Sequence, residues 1–235
     1  MNTPWTTAVI FDLHGTLVDS EPNYYEAGRR LLADHGVTGF TWRRHTDFIG
    51  IGTRETLEIL KAEYGLAAPV EELLAGKNHH YLRLARAGTA VFPRMREFVE
   101  RLHREGMPIA VASGSSRGAI EAVLGGTGLD AYVTTVVSAE EVERGKPAPD
   151  VFLEAARRLG VEPARCVVVE DAPPGAAAAH AAGMRCVAVP YVPATAGDPA
   201  FRRAGLLFPG GQEEFTVRAA HDFVTRGPAP GRTGA

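Results

Sequence analysis

The sequence predicts an α/β protein: an open parallel sheet flanked by helices, with a helical block inserted early in the chain. Three observations carry this. Short apolar runs recur at 8–13, 109–113, 132–138, 166–170 and 186–190, most of them continuous, as in strands buried on both faces. Amphipathic stretches at 95–105, 117–124, 149–159 and 175–182 fall between them, which is the alternation of a sheet with crossover helices. Nearly a hundred residues separate the first two runs, far more than one crossover needs.

Taken in order, the first run leads into that long interval. There, 24–35, 54–64 and 70–86 carry leucine-rich faces at three- and four-residue spacing and read as helices. The predicted organisation is an α/β core over 1–19 and 89–226, with a helical cap over 20–88. Gly106, Gly160 and Gly183 each follow a predicted core helix, where glycine commonly ends one. Trp42 and Phe48 are expected in the cap core. The tail 227–235, GPAPGRTGA, is expected to be disordered.

Composition narrows the function. A net charge of −3 and a pI near 6.2 give no reason to expect a polyanionic partner, so nucleic acid is not the expected ligand. No apolar run approaches the ~20 residues that span a bilayer, and residues 1–7 show no signal-peptide pattern. A cytoplasmic monomer is expected. Cys166 and Cys186 each open an apolar run and are expected as reduced core thiols; two cysteines alone make no zinc site.

Ligands of open α/β sheets bind beyond the carboxyl ends of the strands. The first predicted strand ends in Asp12-Leu13-His14-Gly15-Thr16 and the second in Ser113-Gly114-Ser115. Lys146-Pro147 follows the third, and the fourth ends in Glu170-Asp171. Singly these are ordinary residues: an Asp at a strand end caps a turn about half the time. Together they place hard oxygen ligands, a cation and hydrogen-bond donors on one edge, which suits magnesium and a phosphate.

These motifs resemble the haloacid dehalogenase superfamily of phosphohydrolases over nearly the whole chain. FDLHGTLVDSE is similar to its first motif, AVASGSS to the second, GKPAPDVF to the third and VVVEDAPPGAAAAHAAGM to the fourth. The insertion between the first two matches the helical-cap class, and the overall likeness is greatest to β-phosphoglucomutase and small sugar-phosphate phosphatases. The resemblance implies a Rossmann-like core and a small phosphorylated metabolite, with a sugar phosphate expected. It implies Asp12 as nucleophile, Ser113, Gly114 and Lys146 on the phosphoryl oxygens, and His14 at the acid/base position. Magnesium would be held by Asp12, the His14 backbone carbonyl and Asp171, with Glu170 acting directly or through water. GIGTRETL and GKNHHYL resemble cap segments of the same branch, making Arg54, Lys77 and Asn78 substrate candidates.

One position departs from the pattern. The family's phosphatases and mutases carry a second aspartate two residues after the nucleophile, and here His14 stands there. Histidine can serve as acid and base, with an ordinary pKa near ~6.5. Alternatively turnover is slow and the chain is a phosphometabolite binder, or the reaction differs, as in relatives with Tyr or Ala at this point. Glu170-Asp171 argues against the metal-free dehalogenases. Phosphonate cleavage would need a cap lysine such as Lys77. A mutase remains a further alternative, although Tyr24 occupies its cap-hinge histidine position.

Overall fold

The computed structural model describes residues 7–49 and 51–226; the 227–235 tail lies outside the described residues. The chain divides into two compact units, one running to Asp19 and resuming at Ala90, the other Ser20–Thr89. The return crossing falls one residue later than the sequence suggests.

The core unit begins with β1 (Ala8–Phe11) and the two-residue β2 (Val18–Asp19). The second unit contributes α1 (Glu21–Asp34), α2 (Trp42–Thr46), α3 (Thr53–Tyr64) and α4 (Val70–Ala87). The core resumes with β3 (Ala90–Val91), α5 (Pro93–Arg104), β4 (Ile109–Ser113), α6 (Arg117–Thr127), β5 (Thr135–Ser138) and α7 (Asp150–Leu159). It finishes with β6 (Cys166–Glu170), α8 (Pro173–Ala181), β7 (Arg185–Ala188), β8 (Leu206–Leu207) and α9 (Val217–Thr225).

Six strands form one parallel sheet in the order β5-β4-β1-β6-β7-β8. β1, β4 and β6 are buried along their whole length, which explains their uninterrupted apolar runs. The chain builds outward from β1 through β4 to β5, then crosses back to place β6 on the other side of β1. That reversal opens a crevice at the carboxyl ends of β1 and β6, where α/β sheets bind ligands. β2 and β3 pair antiparallel in a separate ribbon where the chain leaves and re-enters the core unit.

Two expectations need correcting. The strand expected at 132–138 begins only at Thr135, because Gly128 takes a left-handed conformation and residues 129–131 wind into a short 3₁₀ turn. Trp42, expected in the core of the helical unit, is 41% exposed. It opens α2 and lies edge-on to Tyr25 at 5.4 Å, while Phe40, Phe48, Leu31, Leu57 and Leu73 fill that core instead. Cys166 and Cys186 are free, buried and on neighbouring strands. No helix among the described residues is long and apolar enough to cross a membrane.

Candidate active site

The β1 backbone is held on both sides by β4 and β6, so its carboxyl end is a fixed platform. Asp12 is the next residue, and its amide donates to the Val169 carbonyl at 3.0 Å. The chain then turns tightly: Gly15 donates to the Val18 carbonyl at 2.8 Å, and Leu17 to that of Leu13 at 2.9 Å. Gly15 adopts φ +82°, and a Cβ there would overlap the Asp171 carboxylate. Glycine is therefore required twice, for the left-handed backbone and for the close approach. Beside it, Thr16 Oγ1 donates to Asp171 Oδ1 at 3.0 Å.

Two carboxylates bond one ammonium, and a third acid, Asp171, follows one of them directly in the chain. Lys146 Nζ donates to Asp12 Oδ1 and to Glu170 Oε1, each at 2.6 Å. Glu170 Oε2 accepts from the amides of Asp171 and Ala172 at 2.8 and 2.9 Å. Both Glu170 oxygens are thus engaged within the protein, so its bonding suits holding Lys146 and the β6–α8 turn rather than direct metal ligation. Gly175 leaves it room, since a Cβ at that position would overlap its carboxylate.

Electrostatics follow from burial and charge count. Burial raises the Asp12 carboxyl, opposed by Lys146 and by the amides of Leu13 and His14, which donate to it. Burial raises Glu170 likewise, again opposed by Lys146. Asp171 is pushed well above the usual carboxylate range, by burial first and then by the charges of Glu170 and Asp12. For Lys146, burial works to lower the pKa, but Asp12 and Glu170 outweigh it and hold it above the usual lysine value. One cation is set against three acids, of which Asp12 and Glu170 are buried and Asp171 is partly buried.

At the end of β4, Ser113 is buried and its Oγ accepts from the Ser115 amide at 3.3 Å. Ser116 caps α6 by accepting from the Ala119 amide, and Ser138 Oγ fixes the Ser115 carbonyl at 2.7 Å. Gly114 is exposed, so this loop offers its amide and the positive end of α6 to an anion. The structure thus brings Asp12, Ser113, Gly114, Lys146, Glu170 and Asp171 to one sheet edge. The partly buried His14 lies in the β1–β2 turn, bridged to Val18 through the backbone.

The helical unit separates its three candidates. Arg54 is exposed at the start of α3 and pairs with Glu71 at 2.7 Å. Asn78 is exposed on α4, whereas its neighbour Lys77 is buried, as expected of adjacent helical residues pointing about 100° apart. Lys77 Nζ lies 5.7 Å over the Tyr24 ring, which stacks on Tyr81 at 4.4 Å. Burial lowers Lys77 to about 8, opposed by Glu21.

Sequence alone does not single out Thr16, Gly175 or Gln212. Thr16 sits inside the first motif and Gly175 inside the fourth, so a signal existed for both. Nothing in the sequence marks Gln212.

A family model for haloacid dehalogenase-like hydrolases matches residues 6–183. The chain belongs to the haloacid dehalogenase-like hydrolases. Fructose-1-phosphate phosphatase YqaB of Escherichia coli K12 is 36% identical to this hydrolase over 183 residues, covering 77% of this chain and 95% of that one. A bifunctional riboflavin kinase/FMN phosphatase of Arabidopsis thaliana is 33% identical over 192 residues. That match covers 80% of this hydrolase and 49% of the plant protein, so the chain spans about half of that longer relative. Among solved structures, a Thermotoga maritima protein assigned as a β-phosphoglucomutase superposes with a TM-score of 0.76 at 28% identity. The likeness covers 93% of this hydrolase and 99% of that chain.

Proposed function

We propose that this hydrolase removes the phosphoryl group from a small phosphomonoester, a sugar phosphate by analogy with its named relatives, using Asp12 as nucleophile. The observation that carries the reading is Lys146 bonded at once to Asp12 and Glu170, with Asp171 beside them. An Asp12 oxygen attacks phosphorus, the bond to the ester oxygen breaks, and the departing alcohol takes a proton. Water then attacks the aspartyl phosphate, releasing phosphate and restoring Asp12; one hard step becomes two easier ones. Lys146, Ser113 and the Gly114 amide are suited to hold the phosphoryl oxygens. His14 is the proposed proton donor to the alcohol and acceptor from water.

Magnesium fits the donor set. Among the described residues no three His, Cys, Asp or Glu side chains form a metal cage by themselves. Magnesium does not require one, since it commonly takes one or two carboxylates and keeps several waters. Asp12, Asp171 and the His14 carbonyl would hold it, and the excess of buried negative charge over Lys146 favours a cation there. When bound it would offset the repulsion between nucleophile and substrate.

Steady-state assays across a panel of sugar phosphates and other phosphomonoesters test the proposal. Turnover should require magnesium, stop with EDTA and vanish in Asp12→Asn. Activity persisting in Asp12→Asn would overturn the nucleophile assignment. The histidine at position 14 supports a second reading, a binder with little turnover. It predicts magnesium-dependent binding of a panel member with no release of phosphate.

A further inference from the structure

Gln212 lies 197 residues beyond Gly15 in the chain, yet its Nε2 donates to the Gly15 carbonyl at 3.3 Å and to the Thr16 carbonyl at 2.9 Å. Both partners are acceptors, so the amide nitrogen, not the oxygen, must face the turn. The segment carrying it is itself anchored. Arg94 Nη1 donates to the carbonyls of Glu213 and Phe215, each at 2.9 Å. Gly211 takes φ +65° and packs so tightly on the Pro190 carbonyl that a Cβ would overlap it. The Tyr191 amide next to that proline donates to the Asp171 carbonyl at 3.2 Å.

The turn that Gln212 grips is the one that sets the acidic edge. It places the His14 carbonyl, seats Gly15 against the Asp171 carboxylate and aims the Thr16 hydroxyl at Asp171 Oδ1. Tight turns leave carbonyls that must be bonded when partly buried, and here one side chain serves two of them. We infer that Gln212 is a positioning residue: it clamps the Gly15–Thr16 turn and thereby holds the His14 carbonyl and Asp171 in the geometry that receives a divalent cation. The inference rests on the magnesium-dependent reading of this site. Gln212 acts through the turn and touches no reacting atom.

The test uses the full chain and two variants of similar volume, Gln212→Leu and Gln212→Met. Gln212 is half-buried, so both should fold, with melting temperatures lowered by only about a few degrees for the two unbonded carbonyls. Hydrogen exchange of the Gly15 and Leu17 amides should rise about tenfold or more, while amides of β4 and β6 stay protected. Magnesium affinity, measured by calorimetry without substrate, should fall about tenfold, in line with two lost hydrogen bonds. kcat should fall by a similar factor with KM for the best panel substrate changed less than about threefold. Unchanged exchange in the turn overturns the clamp, and a loosened turn with wild-type magnesium affinity overturns the positioning role. A wild type that binds magnesium but hydrolyses no panel member would remove the phosphatase reading, while the exchange and affinity comparisons still judge Gln212.

Discussion

The Lys146 ammonium sits 2.6 Å from the carboxylate of Asp12, the residue that follows β1. The pair is buried, so each charge depends on the other for solvation lost to the protein interior. Glu170 Oε1 accepts from the same ammonium at 2.6 Å. The two bonds hold the proposed nucleophile in place, and the Lys146 charge offsets part of the burial that raises the Asp12 carboxyl.

Replacing that cation tests how the acids are balanced. Lys146→Met should destabilise the unliganded protein by about 3–5 kcal/mol, the usual result of stranding a buried charge. Asp12, Glu170 and Asp171 already have raised pKa values, and removing Lys146 raises them further. Acids raised in the fold favour it below their unfolded pKa and lose that support as pH climbs through the folded value. The melting-temperature gap between wild type and variant should therefore widen from pH 4 to pH 7. A gap that is constant with pH would show that the lysine does not govern these carboxyls.

Gly15→Ala should damage function more than stability. The left-handed backbone costs roughly 1–2 kcal/mol for an alanine, but the new methyl must also displace the Asp171 carboxylate. A shift of about 1 Å in a catalytic group can cost about 10²-fold. We expect kcat/KM to fall by at least that factor, with weakened magnesium binding and a fold intact by circular dichroism. Wild-type magnesium affinity in this variant would show that Asp171 does not bind the metal.

The proposed acid/base role of His14 predicts a change in rate. His14→Asp restores the carboxylate that the family's phosphatases carry at this position, and general acid–base catalysis is worth ~10²–10⁴-fold. Hydrolysis should rise about 10²-fold or more, with magnesium affinity little changed because only the backbone carbonyl would serve the metal. A sharp fall would instead identify histidine as the evolved acid/base. Unchanged rates would remove residue 14 from the proton transfers.

The helical unit carries its own pH signature. Lys77 is buried and pushed down to about 8 from an ordinary 10.5. A depressed lysine disfavours the fold while charged, and the penalty disappears as pH rises from the folded value to the unfolded one. Lys77→Met should stabilise the protein near pH 7 by on the order of 2–3 kcal/mol. That advantage should shrink between about pH 8 and pH 10.5 and vanish above. Thermal melts of both proteins across this range check it; a pH-independent difference would mean the Lys77 amine is solvated.

Much of this protein was legible in the chain itself. Continuous apolar runs such as Cys166–Glu170 announce strands buried on both faces, because local hydrophobicity records burial directly. The helical block was readable from leucine spacing for the same reason. Asp12, Lys146, Glu170 and Asp171 stood out because loops at strand ends are where such a sheet binds ligands. The short elements β2, β3 and β8 were not visible, since two residues establish no period.

What only the tertiary structure decided depends on contacts between distant segments. Sequence order cannot show that Lys146 bonds Asp12 and Glu170 together, that both Glu170 oxygens are occupied, or that Gly15 is pressed against Asp171. Nor can it show that Lys77 turns inward while Asn78 faces out, or that Trp42 lies at the surface. Gln212 is the clearest case: its position next to Gly15 exists only because β6, β7 and β8 are laid down in order beyond β1. Local pattern encodes which residues are buried, but the partner of a polar side chain is set by topology, here by the strand order that returns the chain to lay β6 beside β1.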